Sequence, residues 1–263
     1  MTFRNTLAAE VRKTATLPAT FVALAVAVLG PIAITILNAF TVRNALRTGR
    51  VDLVADTSPV ETAFAAIPLG TVGAVILGVV VISSEYTVNS TNAGGGRQLT
   101  ATLTATPGRL RVLAAKATVV VLLVAVVATL TIPASLLLAG QIIGSGASTP
   151  VGADGVLSRS VGAGIYWALT ALIALAVTVF TRSGIVPIVV LVVNSSLVSV
   201  SLLLSYLTSL AWYLPDLAGI RLFAGHLTTF DNALAPLTGG LVMAAWAAGL
   251  LTVAGAVLVR RDA

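Results

Sequence analysis

The chain has 263 residues, of which 57% are hydrophobic and only 9% are charged. A typical soluble domain carries about 25% charged residues, so this chain has too few charges to cover the surface of a soluble protein. The composition excludes a soluble globular domain, a disordered chain and a nucleic-acid-binding module. It predicts an integral membrane protein.

Six segments of at least 22 residues contain no Asp, Glu, Lys or Arg. A helix needs about 20 apolar residues to cross a bilayer, and in lipid it satisfies its own backbone hydrogen bonds. The segments are too long for barrel strands, which need about 10 residues each. We therefore predict an all-α integral membrane protein with six transmembrane helices. The predicted spans lie near residues 19–40, 62–82, 117–140, 161–180, 185–207 and 239–259.

The basic residues favour one side of the predicted membrane. Ten of the fifteen Lys and Arg residues lie in the N-terminal segment, the second and fourth loops and the tail at 260–263. Because cytoplasmic loops carry an excess of Lys and Arg, we predict that both termini are cytoplasmic. Arg outnumbers Lys by 13 to 2, and Ala, Val and Leu dominate, which is typical of high-GC bacteria. The predicted location is thus a bacterial cytoplasmic membrane, with membrane lipids as partners.

Residues that carry catalysis or bind metals are scarce. The chain has no Cys, one His and no Walker A motif, so we predict no catalytic residue, no metal site and no cofactor in this chain. No ionisable residue falls inside a predicted span, whereas carriers driven by ion gradients usually keep such residues in the membrane. We therefore expect the energy source to lie on another chain.

Residues 1–18 are predicted to form an amphipathic helix at the inner surface of the membrane. Four apolar residues fall within a stripe about 120° wide on a helix: Phe3, Leu7, Val11 and Leu17. Glu10 lies in the middle of this stripe. It either pairs with Lys13, three residues later on the helix, or faces a basic group on a partner protein.

The longest predicted cytoplasmic loop covers residues 83–115. Glu85 lies at the end of the second span, and residues 97–106 could form a short helix with Leu99 and Leu103 four residues apart, ended by Pro107. Arg109, Arg111 and Lys116 then lead into the third span. A surface helix beside glycines and an acid at a span end indicates a docking element for a cytoplasmic protein.

At these positions the sequence resembles the permease subunits of type-2 ATP-binding-cassette exporters. The residues that match the pattern of the family are Glu85, Tyr86, Arg97, Leu103, Pro107, Arg109 and Lys116. The segments 7–20 and 213–223 and the C-terminal residues are also similar, so the resemblance covers the full length.

The resemblance implies a six-helix permease that pairs with a second permease, identical or paralogous. Two separate nucleotide-binding subunits would bind at the inner face and would hold ATP and Mg²⁺. The pre-span helix and the loop between spans two and three would couple ATP hydrolysis to the membrane domain. The coupling residues would be Glu10, Lys13, Glu85, Tyr86, Arg97, Leu99, Leu103, Pro107 and Arg109.

The fifth predicted span contains six small polar residues: Asn194, Ser195, Ser196, Ser199, Ser201 and Ser205. Asn194, Ser201 and Ser205 lie within about 20° of one line on a helix. They serve either helix–helix packing, which favours small polar residues, or a mildly polar wall of a translocation path. This weak polarity suggests an amphipathic or lipid-like cargo, such as a drug, an antimicrobial peptide or a lipid. The segment 208–238 is predicted to be extracellular and to re-enter the membrane.

Two other functions remain open from the sequence. The chain could be an ATP-independent carrier or channel, which intramembrane charges or an inverted repeat would favour. It could also be a membrane protein that only assembles a complex or senses a signal, which the absence of a docking loop would favour.

Overall fold

The computed structural model describes residues 2–86, 108–144, 152–194, 199–225 and 234–260. All regular structure in this part of the chain is helical. The α-helices are α1 (Phe3–Thr16), α2 (Pro18–Thr48), α3 (Pro59–Phe64), α4 (Ile67–Ser83), α5 (Arg109–Ile143), α6 (Ala153–Thr181), α7 (Ile185–Val192), α8 (Val200–Ser205), α9 (Pro215–Ile220) and α10 (Pro236–Arg260). Short 3₁₀ helices occupy Val51–Leu53, Ser84–Tyr86 and Ser209–Tyr213.

Five helical segments in the described residues are long and apolar enough to cross a membrane. This confirms the all-helical prediction for this part of the chain and is compatible with a multi-pass membrane protein. The segments run from Pro18 to Thr48, Pro59 to Tyr86, Arg109 to Ile143, Ala153 to Thr181 and Pro236 to Arg260. Each extends past the predicted span, because a helix can continue into the headgroup region after its apolar section has ended.

The fifth predicted span, 185–207, is not one long helix in the described residues. Its two ends form α7 and α8, and residues 195–198 between them lie outside the described part of the chain. The predicted total of six spanning helices is therefore not established.

The segment between α6 and α10 contacts two parts of the bundle. A Cβ on Gly184, just before α7, would lie 3.4 Å from Ser83 at the end of α4. Further along the segment, the carbonyl of Tyr213 accepts a 2.8 Å hydrogen bond from Trp246 in the first half of α10. The start of the segment therefore lies at the end of α4, and Tyr213 lies beside the first half of α10.

Close contacts at small residues pack α4 into the centre of the bundle. A Cβ on Gly73 would overlap Ala27 of α2, and a Cβ on Gly78 would overlap the carbonyl oxygen of Ala171 in α6. Such contacts let helix backbones approach closely, which is how apolar helices associate in lipid. Trp167 of α6 is fully buried beside Gly70, and its indole N–H donates to the Ile67 carbonyl at 3.1 Å.

We name the two ends of the bundle after an acidic residue at each end, Glu85 and Glu61. The Glu85 end holds α1, the end of α4, the start of α5 and the end of α10, where a Cβ on Gly255 would touch Leu110. The Glu61 end holds α3, the start of α6 and the turn that follows α9. The N-terminal helix and the C-terminal end of α10 thus lie at the same end, as the predicted topology requires.

Candidate functional site

The Glu85 end contains a buried cluster of four charged side chains, which we call the charge cluster: Glu10, Lys13, Glu85 and Lys116. Glu10 and Lys13 come from α1, Glu85 from the 3₁₀ turn that follows α4, and Lys116 from the third turn of α5. The side chains therefore meet from three segments that are far apart in the sequence.

Glu85 and Lys116 form the centre of the charge cluster. The Glu85 carboxylate contacts the Lys116 ammonium at 2.7 Å and the Lys13 ammonium at 2.5 Å. Lys116 also donates to the Glu10 carboxylate at 2.6 Å and to the Val81 carbonyl at 3.1 Å. Lys116 therefore binds to α1, to α4 and to the turn after α4, and it joins the N-terminal helix to two of the spanning segments.

The four side chains of the charge cluster carry no net charge together and are largely shielded from solvent. The side chains of Glu85, Lys116 and Glu10 are 0%, 1% and 5% exposed, and that of Lys13 is 22% exposed. Two ammonium groups and two carboxylates sum to zero, so no net charge is buried. Removing one partner would leave an uncompensated charge in a low-dielectric site, which is far more costly than losing an exposed ion pair.

The structure corrects the prediction for the face of α1 that carries Glu10. Glu10 pairs with Lys116 of the same chain, so the pairing with Lys13 is wrong, whereas the alternative of a basic group on a partner protein stays a prediction. The predicted stripe included Leu17, but α1 ends at Thr16 and Leu17 has an extended backbone. Without Leu17, Glu10 lies at the edge of the apolar stripe, where it shares a buried line with Thr6 and Thr14.

The helices extend beyond the predicted spans, and this changes the argument that the spans contain no ionisable residue. Glu85 and Lys116 fall just outside the predicted spans, yet both lie inside the long apolar segments of the structure and both are buried. Buried ionisable residues at the ends of these segments weaken the argument against a gradient-driven carrier.

The other predicted coupling residues are only partly described. Arg97, Leu99, Leu103 and Pro107 lie outside the described residues. Tyr86 is partly buried and packs against the main core. Arg109 donates to the Leu258 carbonyl at 2.8 Å, so its guanidinium caps the C-terminal end of α10, where the helix dipole favours a cation.

The three predicted path residues are divided between two short elements. Asn194 follows α7 and is partly buried, whereas Ser201 is buried within α8. Ser205 ends α8 and donates to the Leu202 carbonyl at 2.7 Å. The single line of polar groups requires a continuous helix through residues 195–198, which lie outside the described part of the chain.

A second ionic contact, which the sequence did not predict, closes the Glu61 end. Arg159 of α6 binds both carboxylate oxygens of Glu61, at 2.5 and 2.9 Å, and donates to the Phe223 carbonyl at 2.8 Å. Its guanidinium also lies 4.2 Å from the centre of the Phe64 ring. One side chain thus ties α6 to α3 and to the turn after α9.

An apolar groove of about 440 Å³ runs between α5 and α6, from Val121 and Ala168 to Pro133 and Leu157. Its two hydroxyl groups, on Thr129 and Ser160, donate to carbonyls of their own helices.

Within the described residues, no group of three or more His, Cys, Asp or Glu side chains lies close enough to hold a metal ion. Comparisons of the chain with protein-family models, curated proteins and solved structures gave no match.

Proposed function

We propose that the chain is the membrane-spanning subunit of an ATP-driven exporter and takes its energy from separate ATP-hydrolysing subunits. The charge cluster carries this proposal, because it fixes α1 to the ends of two spanning helices at the end of the bundle that is richest in arginine. In a bacterial cytoplasmic membrane, this end would face the cytoplasm.

The contacts of the residues that flank the segment 87–107 support the proposal. Its N-terminal flank is held by Glu85, and its C-terminal flank leads within two residues to Arg109, which is bonded to α10. A protein that pushed on this segment would therefore displace α1, α4, α5 and α10 together. Arg97, Leu99, Leu103 and Pro107 within the segment are the proposed contacts with the ATP-hydrolysing subunit.

The proposed permease has a sixth span over residues 185–207, which includes α7 and α8. In the proposal, Asn194, Ser201 and Ser205 line part of the path beside a second permease, and the cargo is amphipathic or lipid-like. The groove between α5 and α6, whose hydroxyl groups bond to their own helices, suits such a cargo better than a small ion.

The first test is whether a neighbouring gene encodes a chain with a Walker A motif, and the second is co-purification of this chain with that subunit. The chain is expressed with that subunit as the native protein and as the single variants Leu103→Arg and Glu85→Gln. We expect Leu103→Arg to lose the subunit, because a charge would replace an apolar contact. We expect Glu85→Gln to retain the subunit but to lose vanadate-sensitive efflux of Hoechst 33342 from vesicles, because the charge cluster transmits the motion.

The matched control is Glu61→Gln, which removes a paired and nearly buried acid at the opposite end of the bundle. It should leave association with the ATP-hydrolysing subunit unchanged. If the native chain does not bind that subunit, or if Leu103→Arg binds it as well as the native chain, the proposed function is wrong.

The buried position of Glu85 and Lys116 favours a second candidate, a carrier driven by a proton gradient. Intramembrane acids and lysines often serve as proton relays. The two candidates differ in their inhibitors: vanadate should stop an ATP-driven exporter, whereas a protonophore should stop a proton-driven carrier that works without any partner subunit. Dye efflux that persists in proteoliposomes containing only this chain and an imposed pH gradient would favour the carrier.

A further inference from the structure

We infer that the outer side of α1 is a binding surface for anionic phospholipids, independent of whether the protein transports anything. The surface consists of Phe3, Arg4, Leu7, Val11 and Arg12, and we call it the α1 lipid face. It is distinct from the charge cluster, whose α1 residues Glu10 and Lys13 lie on another side of the same helix.

Three lines of side chains run along α1, each with a four-residue spacing. Thr6, Glu10 and Thr14 form the buried line, which faces the bundle. Phe3, Leu7 and Val11 form an apolar line about 60° further round the helix, and Phe3 and Val11 are 43% and 45% exposed. The third line contains Arg4, Ala8 and Arg12, all exposed, roughly 100° beyond the apolar line. The helix therefore presents bundle-facing, apolar and basic sides in that order.

Because the charge cluster buries the acidic side chain of α1, the exposed side of this helix is positively charged. Glu10 is the only acid in α1, and it is buried against Lys116, while Glu85 is buried against both lysines. Arg4 and Arg12 form no ion pair within the described residues. All the negative charge of α1 is thus neutralised inside the protein, and its exposed side carries only positive charge.

An anionic lipid surface fits this arrangement better than an acidic protein does. Only Leu17 separates α1 from the long apolar helix α2, so α1 starts at the level where that helix would leave the hydrocarbon. An exposed apolar line beside a basic line is the pattern of a helix that lies in the interface of a bilayer. Guanidinium groups also match the geometry of lipid phosphates and can bind them through two hydrogen bonds.

The test compares thermal unfolding of the full chain in nanodiscs of phosphatidylcholine with unfolding in nanodiscs that also contain one quarter phosphatidylglycerol. Two basic side chains near an anionic surface should raise the melting temperature by about 5 °C. We expect the double variant Arg4→Gln, Arg12→Gln to lose most of this rise. Because salt screens such contacts, 0.5 M KCl should reduce the rise in the native protein.

The matched control is Arg4→Lys, Arg12→Lys, which keeps both positive charges at the same positions of α1. It should retain most of the rise. The inference is overturned if phosphatidylglycerol does not stabilise the native chain, if the Gln double variant keeps the full rise, or if the two double variants lose the rise equally. A Gln double variant that keeps the rise but loses an acidic partner protein would assign the surface to that protein instead.

Discussion

Lys13 and Lys116 are the only lysines in the chain, and both belong to the charge cluster. Their environments differ sharply. Lys116 is 1% exposed and binds Glu10, Glu85 and a backbone carbonyl, whereas Lys13 is 22% exposed and, among the described residues, binds only Glu85. Lys116 therefore holds the charge cluster together, and Lys13 completes its charge balance.

The same substitution at the two lysines should therefore have unequal effects. We expect Lys116→Met to lower the free energy of unfolding by about 3–5 kcal/mol, because it leaves Glu10 without its counter-ion in a buried site. Lys13→Met should cost about 1 kcal/mol, because Glu85 keeps Lys116 and the site is partly hydrated. Denaturation of both variants in detergent measures the difference. Equal costs would contradict the central position of Lys116.

Arg159 links α6 to α3 and to the turn after α9 at the Glu61 end. This link depends on the geometry of its guanidinium group. Arg159→Lys keeps the charge but replaces the planar guanidinium, which meets both Glu61 oxygens and the Phe223 carbonyl, with a compact ammonium on a shorter side chain. We expect a loss of about 1–3 kcal/mol in the free energy of unfolding. The exposed Arg47→Lys serves as the control and should unfold like the native chain. A native-like melting temperature for Arg159→Lys would show that a single ion pair is sufficient.

At the scale of the helices, the sequence predicted what depends on burial in lipid and missed what depends on tertiary contacts. The spans were predictable because a bilayer requires long apolar helices. The helix ends were not predictable. Helix α5 begins eight residues before its predicted start, and this places Lys116 in a buried helical turn. The partner of Glu10 was also not predictable, because Lys116 lies 106 positions further along the chain. An acid beside an apolar stripe, in a chain with only two lysines, was the available signal.

The position of α4 depends on the absence of side chains at its glycines. A Cβ on Gly78 would overlap the Ala171 carbonyl oxygen, so Gly78→Ala should push α4 away from α6. We expect a cost of about 1–3 kcal/mol in the free energy of unfolding, measured by denaturation in detergent. Gly140→Ala in α5 is the control, because a Cβ there would meet no other atom within 4 Å and alanine is the better helix former. A Gly78→Ala variant as stable as that control would contradict the tight packing of α4.

At the scale of the whole molecule, the direction of the helices constrains the topology. The N-terminal helix and the end of α10 both lie at the Glu85 end, although only five long helices occur in the described residues. An odd number of crossings would separate the termini. We therefore expect the segment between α6 and α10 to provide another crossing of the membrane.

This topology predicts that both termini face the same compartment, which we expect to be the cytoplasm. A reporter that fluoresces only in the cytoplasm should give a signal when fused to either terminus. The same reporter inserted after Arg50, at the Glu61 end, should remain dark. A signal from one terminus only would contradict an additional crossing between residues 184 and 213.

The burial of Lys116 has a practical consequence for chemical labelling. Reagents that acylate primary amines find only the N-terminal amine and the partly exposed Lys13 on the folded protein. Lys116 becomes reactive only when α1 separates from the spanning helices. The extent of its modification, measured by mass spectrometry, would therefore report how often the charge cluster opens, in native membranes and without any introduced probe.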